Sequence, residues 1–307
     1  MNGELSLLDR VLRLRNERNA VILAHNYQRA DVQDIADFTG DSLELSQKAA
    51  TTDADVIVFC GVQFMAETAS ILCPDKVVLL PDVEAGCPMA DMITAERLRQ
   101  RKQELPGVVV ICYVNSSAEV KAESDICCTS ANAVRVIESV DMAHKILFVP
   151  DQYLGHYAAS KTGREMALWP GYCPTHVKIQ PHHIVEAKRE HPQAKVAVHP
   201  ECRPDVIALA DEVLSTSGMI RFAQRDEVKE MIVGTEVGII HRLSKDNPHK
   251  LFIPASEQAI CPNMKRITVE KILWSLENMS PEVKVPEDIR VKAKLAVDRM
   301  LEIGRSQ

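Results

Sequence analysis

Three Cys-Pro dipeptides stand almost evenly along the chain, at Cys87-Pro88, Cys173-Pro174 and Cys261-Pro262, at intervals of 86 and 88 residues. That interval is also the period of the sequence. Three apolar, β-branched runs, 20–25, 108–113 and 195–199, each end on a ring-bearing residue: His25, Tyr113 and His199. A hydroxyl residue lies 17 positions beyond each: Ser42, Ser130 and Thr216. From these hydroxyls to the three cysteines the steps are 45, 43 and 45 residues. A second strand-like run recurs at 55–59, 145–149 and 229–233. Strands at loose intervals would give the runs but not three equal steps. The period exceeds the ~20–50 residues of a solenoid repeat, so the chain reads as three domain-sized copies of one α/β unit.

Within a copy, strands alternate with helices, which implies a parallel sheet covered on both faces. In the first copy the pattern predicts strands at 21–24, 56–59 and 77–80, and helices at 31–38, 43–50, 63–72 and 94–105. Later helices are expected from about Thr268 to Met279 and from about Pro286 to Ile303. An amphipathic helix at the start presents Leu5, Leu8, Val11 and Leu12 on one face. The expected fold is α/β: three pseudo-threefold-related α/β/α units with short parallel sheets and an active site on the central axis. The expected divisions are an N-terminal helix (1–19), repeats at 20–106, 107–193 and 194–280, and a C-terminal helix (281–307).

In open parallel sheets, ligands bind beyond the carboxyl ends of the strands. His25, Tyr113 and His199 are placed there, followed by Asn26-Tyr27, Val114-Asn115 and Pro200-Glu201. Ser42, Ser130 and Thr216 begin helical runs. Each taken alone is readily an N-cap. Three of them in register with strand ends point instead to helix N-termini converging on a carboxylate or phosphate.

If the units pack around an axis, three thiolates can meet at one point. A thiolate ligand must be deprotonated, and a nearby cation allows that. Proline after each cysteine removes a backbone N–H and stiffens the loop. The dipeptide alone is not specific, since Cys73-Pro74 has no counterpart in the other copies. Cys73 reads as a buried apolar residue, as do Cys60, Cys112, Cys127, Cys128 and Cys202, with Cys202 nearest the expected site. Local Cys-x2-Cys pairs of zinc sites and the ferredoxin spacing are both absent. Long separations suit a site at a junction of units: a metal or an iron–sulfur cluster with one open position. Such an iron acts as a Lewis acid, which suits dehydration or condensation. A three-cysteine zinc metallohydrolase, a non-enzymatic iron–sulfur sensor and a scaffold with structural cysteines are the competing readings.

The net charge of −7 and the lack of a Lys/Arg run argue against a broad nucleic-acid surface. No apolar stretch reaches the ~18 residues of a membrane span, and the first twenty residues lack a signal-peptide core. A cytoplasmic protein is expected. Nine cysteines there favour metal binding or catalysis over disulfides.

The segments His25-Asn26-Tyr27-Gln28, Gly40-Asp41-Ser42-Leu43, 61–68, 85–89, Tyr113-Val114-Asn115, Gly171-Tyr172-Cys173-Pro174-Thr175-His176, Val198-His199-Pro200-Glu201-Cys202, 215–219 and 261–265 together strongly resemble the quinolinate synthase family, over almost the whole chain. The resemblance implies a triplicated α/β architecture and condensation of iminoaspartate with dihydroxyacetone phosphate to quinolinate, phosphate and water. It implies that Cys87, Cys173 and Cys261 bind a [4Fe–4S] cluster whose fourth iron takes substrate. His25, Ser42, Tyr113, Asn115, Ser130, His199, Glu201 and Thr216 match substrate-binding positions. His176 could reach the cavity or pack behind it. Tyr27, His199 and Glu201 are the acid/base candidates, since a carboxylate beside a neutral imidazole can move protons near neutrality. For Glu201 the plain alternative is a surface salt bridge to Arg203. His182-His183 reads as a surface helix start. An aspartate oxidase is a possible functional partner. The extra cysteine-rich motif found after the last ligand in some relatives of this kind has no counterpart after Cys261.

Overall fold

The aliphatic runs form twelve strands in a computed structural model that describes residues 6–304. The first sheet contains β1 (Ala20–His25), β2 (Phe38–Gly40), β3 (Val56–Cys60) and β4 (Val77–Leu79). The second contains β5 (Val109–Tyr113), β6 (Ile126–Cys128), β7 (Ile146–Val149) and β8 (Ala167–Leu168). The third contains β9 (Lys195–Val198), β10 (Glu212–Val213), β11 (Glu230–Gly234) and β12 (Leu251–Pro254). Their orders are β2-β1-β3-β4, β6-β5-β7-β8 and β10-β9-β11-β12. All named neighbours run parallel. The chain is an α/β protein of three like-wound units.

The central strands are buried on both faces; all five residues of β3 are. Each large aliphatic side chain so covered contributes roughly 1.5–3 kcal/mol. The units also share a polar device that sequence reading did not single out. The Asp37 carboxylate accepts from the Ile22 backbone N–H at 2.9 Å, Asp125 from Val110 at 2.7 Å and Asp211 from Val196 at 2.7 Å. Each aspartate thus fastens the start of its edge strand to the strand beside it.

The expected helix at 31–38 is divided. A helix covers Ala30–Ile35, and Phe38–Gly40 is the edge strand β2, whose three residues leave no readable period. The helix expected to begin at Ser130 instead spans Ala133–Glu138. Cys127 and Cys128, read as buried apolar residues, lie buried on β6, just before Ser130. The helices at Gln63–Leu72, Ala95–Glu104, Val269–Asn278 and Glu287–Ile303 lie where the pattern predicts.

The first helix, Leu7–Glu17, buries Val11 with Leu7 and Leu14 packed beside it, whereas Leu8 is 44% exposed. Leu5 lies outside the described residues. This helix packs on Val269–Asn278, while Glu287–Ile303 packs on Gln63–Leu72, Ala118–Ala122 and β6. Helices from the two ends of the chain therefore tie the first unit to the third and the first to the second. No described helix is long and apolar enough to cross a membrane.

Candidate active site at the junction of three units

The parallel sheets aim their carboxyl ends at one cavity. His25 ends β1, Tyr113 ends β5 and His199 follows β9, and all three line it. Ser42 and Thr216 are the first residues of the helices Ser42–Thr51 and Thr216–Ala223. Neither is the cap. Asp41 accepts from Glu44 N–H at 2.9 Å, and Ser215 accepts from Gly218 N–H at 3.2 Å. The N-cap alternative thus passes to the preceding residue, and Ser42 and Thr216 line the cavity. Thr216 Oγ1 also accepts from Asn26 Nδ2 at 2.9 Å, joining the third unit to the first. Ser130, in the turn after β6, pairs with His199 Nε2 at 3.1 Å, joining the second to the third.

Cys87, Cys173 and Cys261 line the same cavity, one from each unit. Each precedes a single 3-10 turn: Ala90–Met92, His176–Lys178 and Met264–Arg266. The turns direct backbone N–H groups at sulfur, from Ala90 and Met89 to Cys87, from His176 to Cys173, and from Met264 and Asn263 to Cys261. Burial nevertheless pushes the Cys87 thiol up to about 12, and burial raises Cys173 and Cys261 as well. The three sulfurs are therefore thiols unless a cation compensates them. Three convergent thiols, each offered N–H donors and followed by proline, have the donor chemistry of a thiolate-ligated metal or iron–sulfur centre. A second set overlaps it: ligand atoms of Cys173, His176 and Glu201 all lie within 4.8 Å of one another. All nine cysteines are free. Cys60, Cys73, Cys112, Cys127, Cys128 and Cys202 are buried and do not line the cavity.

The acid/base groups are dry and closely connected. Glu201 is 3% exposed. It does not pair with Arg203, which binds Asp205 at 2.8 Å. Its Oε1 accepts from the Tyr113 phenol at 2.5 Å and from Asn115 Nδ2 at 3.4 Å. Its Oε2 lies 2.7 Å from His176 Nδ1. The approach there is oblique, because Nδ1 has no aligned hydrogen-bond partner, but two polar atoms that close are in electrostatic contact. Burial pushes the Glu201 carboxyl up. The nearby His176 and His199 rings and the Tyr113 donor outweigh it and hold the group below the usual carboxylate range. Burial, reinforced by Glu201, holds both Tyr27 and Tyr113 in their protonated forms.

Burial drives His25 and His199 down to about 3, against the pull of Glu201. Both imidazoles are neutral near pH 7, and the backbone fixes their tautomers. Tyr27 N–H donates to His25 Nδ1 at 3.2 Å, and Glu201 N–H donates to His199 Nδ1 at 3.3 Å. The proton is therefore on Nε2 in both rings. No lining residue is lysine or arginine. An anion here meets helix N-termini, neutral N–H and O–H donors and whatever cation the thiols hold.

Sequence reading missed Thr235, Glu236 and Asp151. Glu236 is buried, lines the cavity, accepts from Cys261 N–H at 3.1 Å and pairs with Lys265 at 2.9 Å. Asp151 is fully buried, and burial, then Glu201, raises its carboxyl well above the usual range although the Tyr153 and Leu154 N–H groups donate to it. Thr235 joins Tyr27 to His176. Thr235 and Glu236 directly follow β11, so the strand-end rule that located His199 also reaches them.

The fold and cavity define a class: triplicated α/β enzymes with one central, thiol-lined, acid/base site at the junction of the units. Comparison with known proteins narrows it. Residues 9–302 match the family model described as quinolinate synthetase A protein. Quinolinate synthase of Dehalococcoides mccartyi strain CBDB1 is 62% identical over 294 residues, covering 96% of this chain and 97% of that protein. The quinolinate synthase of Desulforudis audaxviator is 58% identical over 295 residues, covering 96% and 97%. That of Methanosarcina barkeri is 54% identical over 300 residues, covering 98% of each. The chain belongs to the quinolinate synthetase A family.

Proposed function

We propose that this enzyme condenses iminoaspartate with dihydroxyacetone phosphate to form quinolinate, releasing phosphate and water. On the same reading, Cys87, Cys173 and Cys261 hold a [4Fe–4S] cluster. The observation that carries it is that equivalent cysteines of three units face one cavity containing a tyrosine–carboxylate–histidine array. The cluster, when bound, supplies a Lewis-acidic iron for a substrate oxygen.

The chain's own groups divide the remaining work. The N-termini of Ser42–Thr51 and Thr216–Ala223 favour the anionic groups of the two substrates. Ser42, Thr216 and Asn115 offer neutral hydrogen bonds in a site without lysine or arginine. His25 and His199 offer Nε2–H donors that stay uncharged, orienting oxygens without competing for a proton. Glu201 is the base, since it is ionised and lines the cavity; Tyr27 and Tyr113 are protonated donors for a leaving hydroxyl or a developing oxyanion. Burial of the array keeps bulk water from the imine, whose hydrolysis would waste it.

The Cys173, His176 and Glu201 group favours a second reading, a single zinc with an activated water. Anaerobic purification with iron, sulfide and zinc analysis, paired with an assay for quinolinate, separates the two. About four irons per chain with turnover is expected, with both lost in Cys87→Ser and retained in Cys202→Ala. Stoichiometric zinc, or an iron-replete sample that forms no pyridine dicarboxylate, overturns the proposal.

A further inference from the structure

We propose that Asn263 is a positioning residue for the metal centre: its side-chain amide latches the Cys261 loop of the third unit to the Cys87 loop of the first, and so sets the separation of two sulfurs. The inference rests on the reading that the three cysteines hold one centre, and it concerns a residue that does not line the cavity.

Asn263 Nδ2 donates to the Gly86 carbonyl oxygen at 2.8 Å, across 177 positions of the chain. Gly86 immediately precedes Cys87. The backbone N–H of the same asparagine is directed at the Cys261 sulfur. One residue therefore meets its own cysteine and the loop of another. An asparagine just before a helical turn ordinarily caps it, its side-chain oxygen accepting from a backbone N–H two or three places on. Asn263 stands just before the turn Met264–Arg266 and makes no such cap. Its amide is turned to the neighbouring unit instead. The acceptor there is a backbone carbonyl, which can only receive, so the side chain must present N–H to it.

The threefold pattern makes this latch one of three joins. Met89, Thr175 and Asn263 each lie two residues after their cysteine and just before its 3-10 turn. The Thr175 hydroxyl reaches the Cys261 sulfur, from the second unit to the third. Met89 has no polar hydrogen to give, and the seam between the first and second units is closed three residues later. The Met92 carbonyl accepts from Trp169 Nε1 at 3.1 Å, and the Met92 sulfur accepts from Tyr172 N–H at 3.4 Å. Tyr172 immediately precedes Cys173, as Gly86 precedes Cys87. The three cysteine loops are thus tied in a ring: first to second, second to third, third to first. A loop in a closed ring cannot shift without straining both neighbours, and opening one join releases two of the three sulfurs. Asn263 is the join that a substitution can open cleanly. Thr175 lines the cavity, and Met92 holds Trp169 through its backbone.

The test compares N263L, which keeps most of the bulk and loses the amide, with N263A, which loses it without adding a branched carbon, both as anaerobically loaded full-length protein. N278A is the control: Asn278 Nδ2 donates to the Trp274 carbonyl at the same 2.8 Å on an exposed helix face. Coordination tolerates about 0.2 Å in ligand distance, and losing a group that orients a ligand commonly costs 10–100-fold in metal affinity. Iron release to excess bipyridyl is therefore expected to quicken about 10–100-fold in both Asn263 variants and to stay within about twofold of wild type in N278A. The electron paramagnetic resonance spectrum of the dithionite-reduced centre should change in N263L and N263A and not in N278A. The thermal midpoint of the metal-free protein should fall no further in N263A than in N278A, which a role in general stability would not give. Wild-type release and spectrum in both Asn263 variants, or release quickened equally in N278A, overturns the proposal. Wild-type protein that loads zinc in place of iron sinks the cluster reading instead, and zinc release from the same variants still decides the role of Asn263.

Discussion

Gly171 lies two residues before Cys173 and offers a direct test of how tightly the sulfur-bearing loop is set. It bridges to Asp151, and its carbonyl accepts from Gln152 N–H at 2.8 Å. A β-carbon at residue 171 would press into the Pro150 carbonyl oxygen, a backbone atom that cannot rotate aside. Against the ~3.5–4 Å optimum for non-bonded heavy atoms, Gly171→Ala must open this contact by about 1 Å. Overpacking of that kind costs roughly 1–3 kcal/mol, which a chain of this size survives. Metal coordination is stricter, tolerating about 0.2 Å in ligand distance. The shift thus exceeds what Cys173 can absorb by about fivefold, while the fold persists. The matched control is Gly86→Ala, immediately before Cys87, where an added β-carbon meets nothing within 4 Å. The assay is iron and sulfide per chain after anaerobic loading, with circular dichroism as the check on folding. Gly171→Ala should hold less than about half the wild-type iron, and Gly86→Ala should match wild type. Equal iron in both variants, full or depleted, would refute the reasoning.

Two further outcomes follow from buried charge. His25 and His199 have folded pKa values near 3 against 6.5 when exposed, so the unfolded chain binds the extra protons as pH falls below 6.5 and stability is lost. Each ring should cost about 2 kcal/mol between pH 7.5 and pH 5, measured by denaturant midpoints; His199→Asn should flatten the slope, and an unchanged slope would discount that ring. Lys265→Met strands the Glu236 carboxylate, whose side chain has no exposed area, and should destabilise by about 3–5 kcal/mol. Adding Glu236→Gln should recover part of that loss, and no recovery would mean that Lys265 acts through its other contact, the Tyr27 carbonyl.

The repeated parts of the molecule were readable because repetition supplies its own check. His25, Tyr113 and His199, the hydroxyls 17 residues on, and the three cysteines each had two counterparts to fix the register. The long helices were readable from period and caps, as with Thr94 before Ala95–Glu104 and Thr268 before Val269–Asn278. Edge strands of two or three residues, such as β8 and β10, are too short for a periodic signal and are held mainly by pairing. Thr235 and Glu236 escaped for a different reason. They break the threefold pattern, and a reading built on equivalence passes over residues in which one unit departs from the others. Glu201 was identified, but its burial was not legible. Arg203 two residues away offers a plausible surface partner, and only the packed units show that Asp205 takes it.

The cavity walls run from His25 to Met264 along the chain. A ribosome must therefore deliver most of the polypeptide before the chamber has a complete wall, and the clasp at Glu287–Ile303 emerges later still. Any metal the three cysteines take can therefore meet all of them together only after most of the chain has been made and packed.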